Sequence, residues 1–356
     1  MKLSIMNILI GVISFTLVTA LIFYACLRRS KIFGRSGSYK QAGICTLIIF
    51  CIIIISLLTE EINRANVDII SSVGIWIVSF IVFSTPFLAL HHLISKRVTL
   101  PSRSIILVMV IIFAIGAIQT LNTKLTNITI SSPKITQPLK IFFVTDIHVD
   151  SAFHTIHLET LKKEIKNQNP DLVLIGGDML DNVKEKYVLA YEVLNDIGVP
   201  IYATLGNHDT MGEVSISEKI QDISEIVLLR NESINSNGIQ IVGIDDKSIW
   251  GEQTLEEILS ASDIQNDGEF TILITHQPIS LSKLVDYPID LELAGHTHRG
   301  QNLFIMPIAK LVNEYFYGRY DEEGKTAIVS QGIGTRGLPF RLGSQSEIMV
   351  LNLVKK

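Results

Sequence analysis

The chain has 356 residues, enough for one or two domains, and 47% of its residues are hydrophobic whereas only 18% are charged. Residues 1–138 hold 12 Lys and Arg against 3 Asp and Glu, whereas residues 139–356 hold 18 against 32. This division excludes a uniform soluble domain and a disordered chain, because the first part is apolar and the second has regular apolar periodicity.

The first part of the chain contains four apolar stretches, near residues 5–27, 42–58, 70–90 and 105–121, and none carries a charged side chain. A bilayer core about 30 Å thick requires about 20 apolar residues in a helix, so the stretches predict a bundle of about four transmembrane helices within residues 1–121. The absence of charged side chains inside these stretches favours an anchor over a transporter or channel.

The loops between the stretches predict the orientation of the chain. The first and third loops are rich in Lys and Arg, whereas the second contains Glu60, Glu61 and Asp68. Cytoplasmic loops collect basic residues, so this pattern predicts a multi-pass cell-membrane protein whose acidic second part is extracytoplasmic. Residues 122–138 are polar and contain two prolines, and they are expected to form a short linker.

From residue 139 onward, short apolar runs alternate with amphipathic stretches, which indicates an α/β layered domain over residues 139–356. Five of the runs end in polar residues, and strands of one sheet present such residues at a common edge. These runs cover residues 139–148, 171–178, 200–209, 270–276 and 290–298. A further pair of runs, 226–230 and 239–244, flanks an Asn-Ser-Asn-Gly turn and predicts a β-hairpin.

The strand ends supply oxygen and nitrogen ligands without sulfur, because all three cysteines lie in the first part of the chain. Asp146 and His148 are two residues apart, as are His296 and His298, so each pair projects to one side of its strand. The remaining candidate ligands are Asp178, Asn207 and His276. Such donors suit Mn2+, Fe, Zn2+ or Mg2+, and they exceed the needs of one ion. The set predicts two divalent ions that share a carboxylate and activate water for attack on phosphorus.

The motifs DIH, GGD, GNHD, TH and GHTH follow one another in this order within residues 139–354. In this order they resemble the calcineurin-like metallophosphoesterase superfamily. The segments GHTHRGQ and GIGTRGLPFRLGSQSEI resemble its bacterial membrane-associated branch of YkuE-like and YaeI-like phosphodiesterases. That branch includes enzymes acting on phospholipids or UDP-diacylglucosamine. The resemblance implies a four-layer αββα sandwich with the metal ions between the loop ends of its two sheets.

The resemblance also implies roles for individual residues. One metal ion would be held by Asp146, His148 and His298, a second by Asn207, His276 and His296, and Asp178 would bridge them. His208 resembles the catalytic histidine that protonates the leaving oxygen, and Asp181 resembles the carboxylate that orients it. Arg299 stands where many relatives have glycine, and it is either a phosphate-binding residue or an exposed loop arginine. Asp209 is expected either to support a ligand or to cap a helix.

The sequence therefore predicts a membrane-anchored phosphohydrolase that uses two divalent metal ions, with Mn2+ foremost, to cleave a phosphomonoester or phosphodiester. Phospholipids and nucleotide-linked lipids are candidate substrates, the bilayer is the expected partner, no nucleic acid is expected, and no protein partner is identifiable. Two alternatives remain open: a cytoplasm-facing pyrophosphatase acting on a UDP-diacylglucosamine-type lipid, and a non-catalytic membrane sensor or scaffold with a structural metal site. The apolar segment 305–320 is expected either to flank acyl chains or to belong to the core.

Overall fold

The computed structural model describes residues 102–149, 152–180, 194, 197–209, 226–303, 305–336 and 339–356. The chain divides into two compact units, Met1–Ala117 and Ile118–Lys356. The predicted spans 5–27, 42–58 and 70–90 lie outside the described residues.

Helix α1 (Ser102–Leu121) contains the fourth predicted span, 105–121. Among the residues that the structure describes, no helix is both long enough and apolar enough to cross a membrane. The expectation of a span at 105–121 is therefore not confirmed. The last turn of α1 belongs to the second unit: the Gln119 carbonyl accepts a hydrogen bond from the N–H of Ser346, and Thr120 Oγ1 accepts one from the N–H of Arg341.

The segment 122–138, which the sequence predicts to be a linker, is largely part of a sheet. Strand β1 (Lys124–Ser132) pairs in parallel along its whole length with the C-terminal strand β12 (Glu347–Lys355). Ile130 is buried and Ile128 is partly buried in the core. The linker prediction is wrong because an edge strand keeps only some of its side chains against the core, so its composition resembles that of a loop.

The first sheet has the strand order β1-β12-β2-β3-β4-β5. Its central strands β2 (Leu139–Val144), β3 (Leu172–Gly176) and β4 (Ile201–Thr204) confirm three predicted strands, and the sheet ends at β5 (Ile226–Leu228). These four strands are parallel to one another, whereas β12 is antiparallel to β2. Helix α2 (Ala152–Gln168) connects β2 to β3, as a parallel crossover requires.

The second sheet has the strand order β10-β11-β9-β8-β7-β6. Its strands are β6 (Glu232–Ser236), β7 (Ile239–Gly243), β8 (Phe270–Ile274), β9 (Leu291–Ala294), β10 (Gly318–Glu322) and β11 (Lys325–Val329). The four inner strands are parallel, and the outer strands β6 and β10 are antiparallel to their neighbours. Helix α3 (Leu255–Ala261) precedes β8, and helix α4 (Met306–Val312) precedes β10. Strands β8 and β9 confirm the remaining two predicted strands.

The predicted hairpin has a different first strand. Strand β6 pairs with β7 across Asn237 and Gly238, whereas β5, which the sequence assigned to the hairpin, belongs to the first sheet. Asn237 and Gly238 have φ angles of 55° and 75°, as a two-residue type I′ turn requires. The turn was identifiable from its residues, but the more apolar β5 was mistaken for its partner because β6 is only partly buried.

The two sheets pack face to face around a shared core. Phe143 and Leu351 of the first sheet lie in one cluster with Ile241, Ile272 and Ile328 of the second. A further cluster on the first sheet includes side chains of α2, and another on the second includes side chains of α3. The described residues therefore form an α/β sandwich, with helices on its outer faces.

Candidate metal centre

The candidate ligands follow the carboxyl ends of strands. Asp146 and His148 follow β2, Asp178 follows β3, Asn207 and His208 follow β4, His276 follows β8, and His296 and His298 follow β9. Since the two sheets pack face to face with these ends at one edge, side chains distant in sequence meet there.

Several of these side chains sit on backbone in an unusual conformation. The φ angles of Asp146, His148, Asp178, His296 and His298 lie between 47° and 67°, in the left-handed region. This region costs a non-glycine residue on the order of 1–3 kcal/mol and is concentrated at functional sites. The fold therefore holds the side chains in place against the preference of their own backbone.

Two glycines permit the close approach of the ligand loops. A Cβ atom at Gly206 would collide with the carboxylate and backbone nitrogen of Asp178. A Cβ atom at Gly295 would collide with Thr145 and with Oδ2 of Asp146. Glycine is required at both positions because backbone, not a side chain, faces each carboxylate.

One group of donors consists of Asp146, His148 and His298, which are all buried. Nε2 of His298 lies 3.2 Å from Oδ1 of Asp146 and 3.1 Å from Nε2 of His148. One ligand atom from each residue falls within 4.8 Å of the others. Two imidazole nitrogens and a carboxylate oxygen thus converge in a volume that suits one cation.

A second group consists of Asp146, Asp178 and His276, whose ligand atoms also lie within 4.8 Å of one another. Oδ2 of Asp178 is 3.1 Å from Nε2 of His276 and 3.7 Å from Nε2 of His148. Nδ1 of His296 lies 3.2 Å from Nε2 of His276. Asp178 therefore lies between histidines of both groups, while Asp146 belongs to both.

His208 borders the same centre. Its backbone N–H donates a hydrogen bond of 2.8 Å to Oδ1 of Asp178, and its ring meets the ring of His148 edge-on at 5.0 Å between centroids. The neighbouring Asn207 has a buried side-chain oxygen. Asp181, the expected partner of His208, lies outside the described residues.

Arg299 follows His298 directly, and its side chain is held by an aromatic ring. The guanidinium carbon lies 4.7 Å from the centroid of the Tyr317 ring, a cation–π arrangement, and the residue is half-buried. Arg299 is therefore not the fully exposed loop arginine of the alternative interpretation.

Two charged residues near the centre were missed, or left undecided, in the sequence. Asp209 accepts hydrogen bonds from the N–H groups of Gly206, at 2.8 Å, and Leu180, at 2.9 Å, so it ties together the loops after β4 and β3. Arg341 is fully buried behind His298, with Nη2 3.5 Å from Nδ1 of that histidine and 2.8 Å from the carbonyl of Gln331. A lone arginine within the apolar run LPFRL was the only signal for this second residue.

The protonation of the centre follows from burial and from mutual charge. Burial works to raise the pKa of Asp146, but the neighbouring histidines, His298 foremost, outweigh it and hold that pKa well below its usual range. Burial lowers the pKa of His298 to about 3, although Asp146 opposes the shift. The pKa of His276 is raised to about 9, because the charge of Asp178 outweighs burial. An ionised carboxylate and a neutral imidazole are the forms that bind metal ions, so metal binding at His276 must release the proton that its raised pKa retains at neutral pH.

The residues present fit two divalent metal ions. The converging donors are carboxylate oxygens and imidazole nitrogens, and no cysteine follows residue 51. Donors of this class suit first-row divalent ions and Mg2+.

Comparisons with known proteins agree with this chemistry. Residues 139–300 match the family model described as calcineurin-like phosphoesterase. An uncharacterized metallophosphoesterase of Helicobacter pylori J99 is 31% identical over 298 residues, which cover 78% of this chain and 80% of that protein. The uncharacterized metallophosphoesterase YkuE of Bacillus subtilis is 29% identical over 60% of this chain and 78% of its own length.

One vertebrate relative is named as a transmembrane protein. A Danio rerio protein named transmembrane protein with metallophosphoesterase domain is 28% identical over 63% of this chain and 54% of its own length. The chain spans less than two thirds of the length of two further relatives. It covers 64% of an uncharacterized metallophosphoesterase of Helicobacter pylori 26695 and 65% of one of Campylobacter jejuni.

Proposed function

This chain belongs to the calcineurin-like metallophosphoesterase family, and we propose that it is a metal-dependent phosphoester hydrolase that works with two divalent metal ions, Mn2+ foremost. The observation that carries this proposal is the pair of overlapping buried ligand groups, which together contain Asp146, Asp178 and three histidines. When bound, two such ions supply Lewis-acid activation of water and neutralise charge on the phosphoryl group.

The proposed ligands divide between the two ions. Asp146, His148 and His298 hold one, and Asn207, His276 and His296 hold the other, with Asp178 between them. The 3.1 Å and 3.7 Å distances from Oδ2 of Asp178 to His276 and His148 support this bridging position.

Two residues are proposed to act on the substrate. His208 protonates the leaving oxygen, and its backbone bond to Asp178 keeps its ring beside His148. Asp181 is proposed to orient the His208 ring. Arg299 is proposed to contact the substrate phosphate, with its guanidinium kept in place by Tyr317.

Anchoring in a cell membrane is part of the proposal. Its support is the three uncharged apolar stretches 5–27, 42–58 and 70–90 and the name of the Danio rerio relative. With 105–121 counted as a fourth span, the basic loops predict an extracytoplasmic catalytic domain, and with three spans they predict a cytoplasmic one. The proposed orientation is extracytoplasmic, and the proposed substrate is a phospholipid or nucleotide-linked lipid. An alkaline phosphatase reporter fused after Lys356 should be active; an inactive fusion beside an active cytoplasmic reporter would give the domain the opposite orientation.

The hydrolase proposal is tested on the full chain purified in detergent. Plasma mass spectrometry should find about two metal ions per chain, and hydrolysis of bis-p-nitrophenyl phosphate should depend on added Mn2+. A chain that binds no metal and releases no nitrophenol with any divalent ion would support the non-catalytic scaffold instead.

A further inference from the structure

Helix α4 and the turn before it expose a group of large apolar side chains. Leu303, Ile305, Ile308, Leu311 and Val312 have 52%, 53%, 63%, 86% and 72% of their surfaces exposed, and we call these five residues the α4 patch. None of the residues of α4 is buried. A contiguous apolar surface of this kind marks a site of interaction with a partner or a membrane.

The α4 patch borders the proposed metal centre. The ligand His298 begins a short turn, His298–Gly300, that leads directly into the patch. A Cβ atom at Gly300 would lie 2.6 Å from Cα of Met306, so this turn packs closely on the first residue of α4. Asn302 fixes the connection, because its carbonyl accepts the N–H of Met306 at 2.9 Å.

The α4 patch also adjoins the end of helix α1. Leu303 packs against Gly343, and the N–H of Gly343 donates a hydrogen bond of 3.2 Å to Oε1 of Gln119 in the last turn of α1. Ile118 and Leu121, on either side of Gln119, are themselves exposed. The patch therefore lies beside residues 118–121, which begin the second unit.

The charge of residues 299–312 favours a lipid surface over a protein surface as the partner of the α4 patch. Residues 299–312 contain Arg299 and Lys310 and no acidic residue, within a domain whose acidic residues far outnumber its basic ones. Basic residues beside an apolar surface are attracted to anionic lipid head groups, and apolar side chains enter the boundary with the acyl chains.

We propose that the α4 patch docks into the lipid bilayer. Docking there brings the His298 loop to the membrane surface, so that the centre meets phosphoesters carried by lipids. This inference rests on the proposed hydrolase function and extends it by naming the surface on which the enzyme works.

The test uses the full chain in nanodiscs of phosphatidylethanolamine and phosphatidylglycerol, with Cys26, Cys45 and Cys51 replaced by serine. A single cysteine is introduced as Leu311→Cys and labelled with the fluorophore NBD. The matched control is Asn266→Cys, an exposed position before β8 and so at the opposite edge of the second sheet from the ligands. Lipids with a doxyl quencher in the acyl chain should quench the label at 311 at least twofold and leave the label at 266 unchanged.

Two outcomes would overturn the docking proposal. No quenching at position 311 would place the patch in water, and a blue-shifted but unquenched label would place it against protein. Metal-dependent hydrolysis of bis-p-nitrophenyl phosphate by the unlabelled chain is measured alongside. Hydrolysis without quenching would overturn the docking alone, whereas quenching without hydrolysis would overturn the proposed function on which the inference rests.

Discussion

Oδ2 of Asp178 lies 3.1 Å from Nε2 of His276, although Asp178 follows β3 in one sheet and His276 follows β8 in the other. Burial opposes ionisation of this carboxyl, but the charge and hydrogen bond of His276 outweigh it, so the pKa of Asp178 is lowered. The ionised Asp178 thus joins the loops of the two sheets at the proposed metal centre.

Asp178→Asn should reduce metal content from about two ions per chain to less than one, because an amide carries no charge and offers one acceptor oxygen in place of two. Plasma mass spectrometry of the full chain measures the change. The control is Asp286→Asn, at an exposed position, which should bind as much metal as the unmodified chain. Normal metal content in Asp178→Asn would remove Asp178 from the bridging position.

His208→Ala should lower turnover of bis-p-nitrophenyl phosphate by roughly 10²-fold or more, as expected when a general acid is lost. Its metal content should stay close to that of the unmodified chain. The reason is that the backbone N–H of residue 208, not its side chain, donates to Asp178, and alanine keeps that bond. Unchanged turnover would exclude His208 as the proton donor.

Glu292→Gln should change how stability depends on pH. Glu292 is fully buried in β9 and accepts hydrogen bonds from Thr275 and Ile279, and burial raises its pKa from 4.5 to about 8 despite these bonds. Between these two values the unfolded chain has lost the proton that the folded chain keeps, so this group's contribution to stability falls as pH rises.

Glutamine stays neutral at every pH, so the melting temperature of Glu292→Gln minus that of the unmodified chain should increase from pH 5 to pH 8.5. Thermal unfolding of the full chain in detergent measures it. Glu256→Gln, at an exposed position in α3, should show no such trend. Parallel pH curves for the unmodified chain and Glu292→Gln would contradict the raised pKa.

A fragment of residues 118–356 should be more stable than a fragment of residues 139–356. The shorter fragment lacks β1, which pairs with all nine residues of β12, and it leaves β12 as an unprotected edge. It also loses the buried Ile135 and the 2.9 Å ion pair between Lys134 and Asp290. Melting temperature and size-exclusion profiles compare the two; equal stability would show that β1 is dispensable and restore the linker interpretation.

The local pattern of apolar and polar residues was sufficient to predict the strands that the ligands follow. Each of β2, β3, β4, β8 and β9 is a short apolar run closed by polar residues, and the structure places each where the sequence predicts it. The same pattern did not predict β1 and β6 as strands. Both are outer strands with few buried side chains, so their sequences lack an apolar run. Arg341 was missed because the sequence does not show that its guanidinium lies behind His298.

The sequence by itself determined the kinds of ligand and their positions after the strands, because these depend on residues that are close together in the chain. The spacing of these residues did not determine which ligands meet, and only the resemblance to a family implied how they are grouped. Asp146 and His298 come together, as do Asp178 and His276, only because the two sheets pack face to face with their carboxyl ends aligned. The sharing of Asp146 between two groups was decided by that packing, since it depends on the approach of loops from separate sheets.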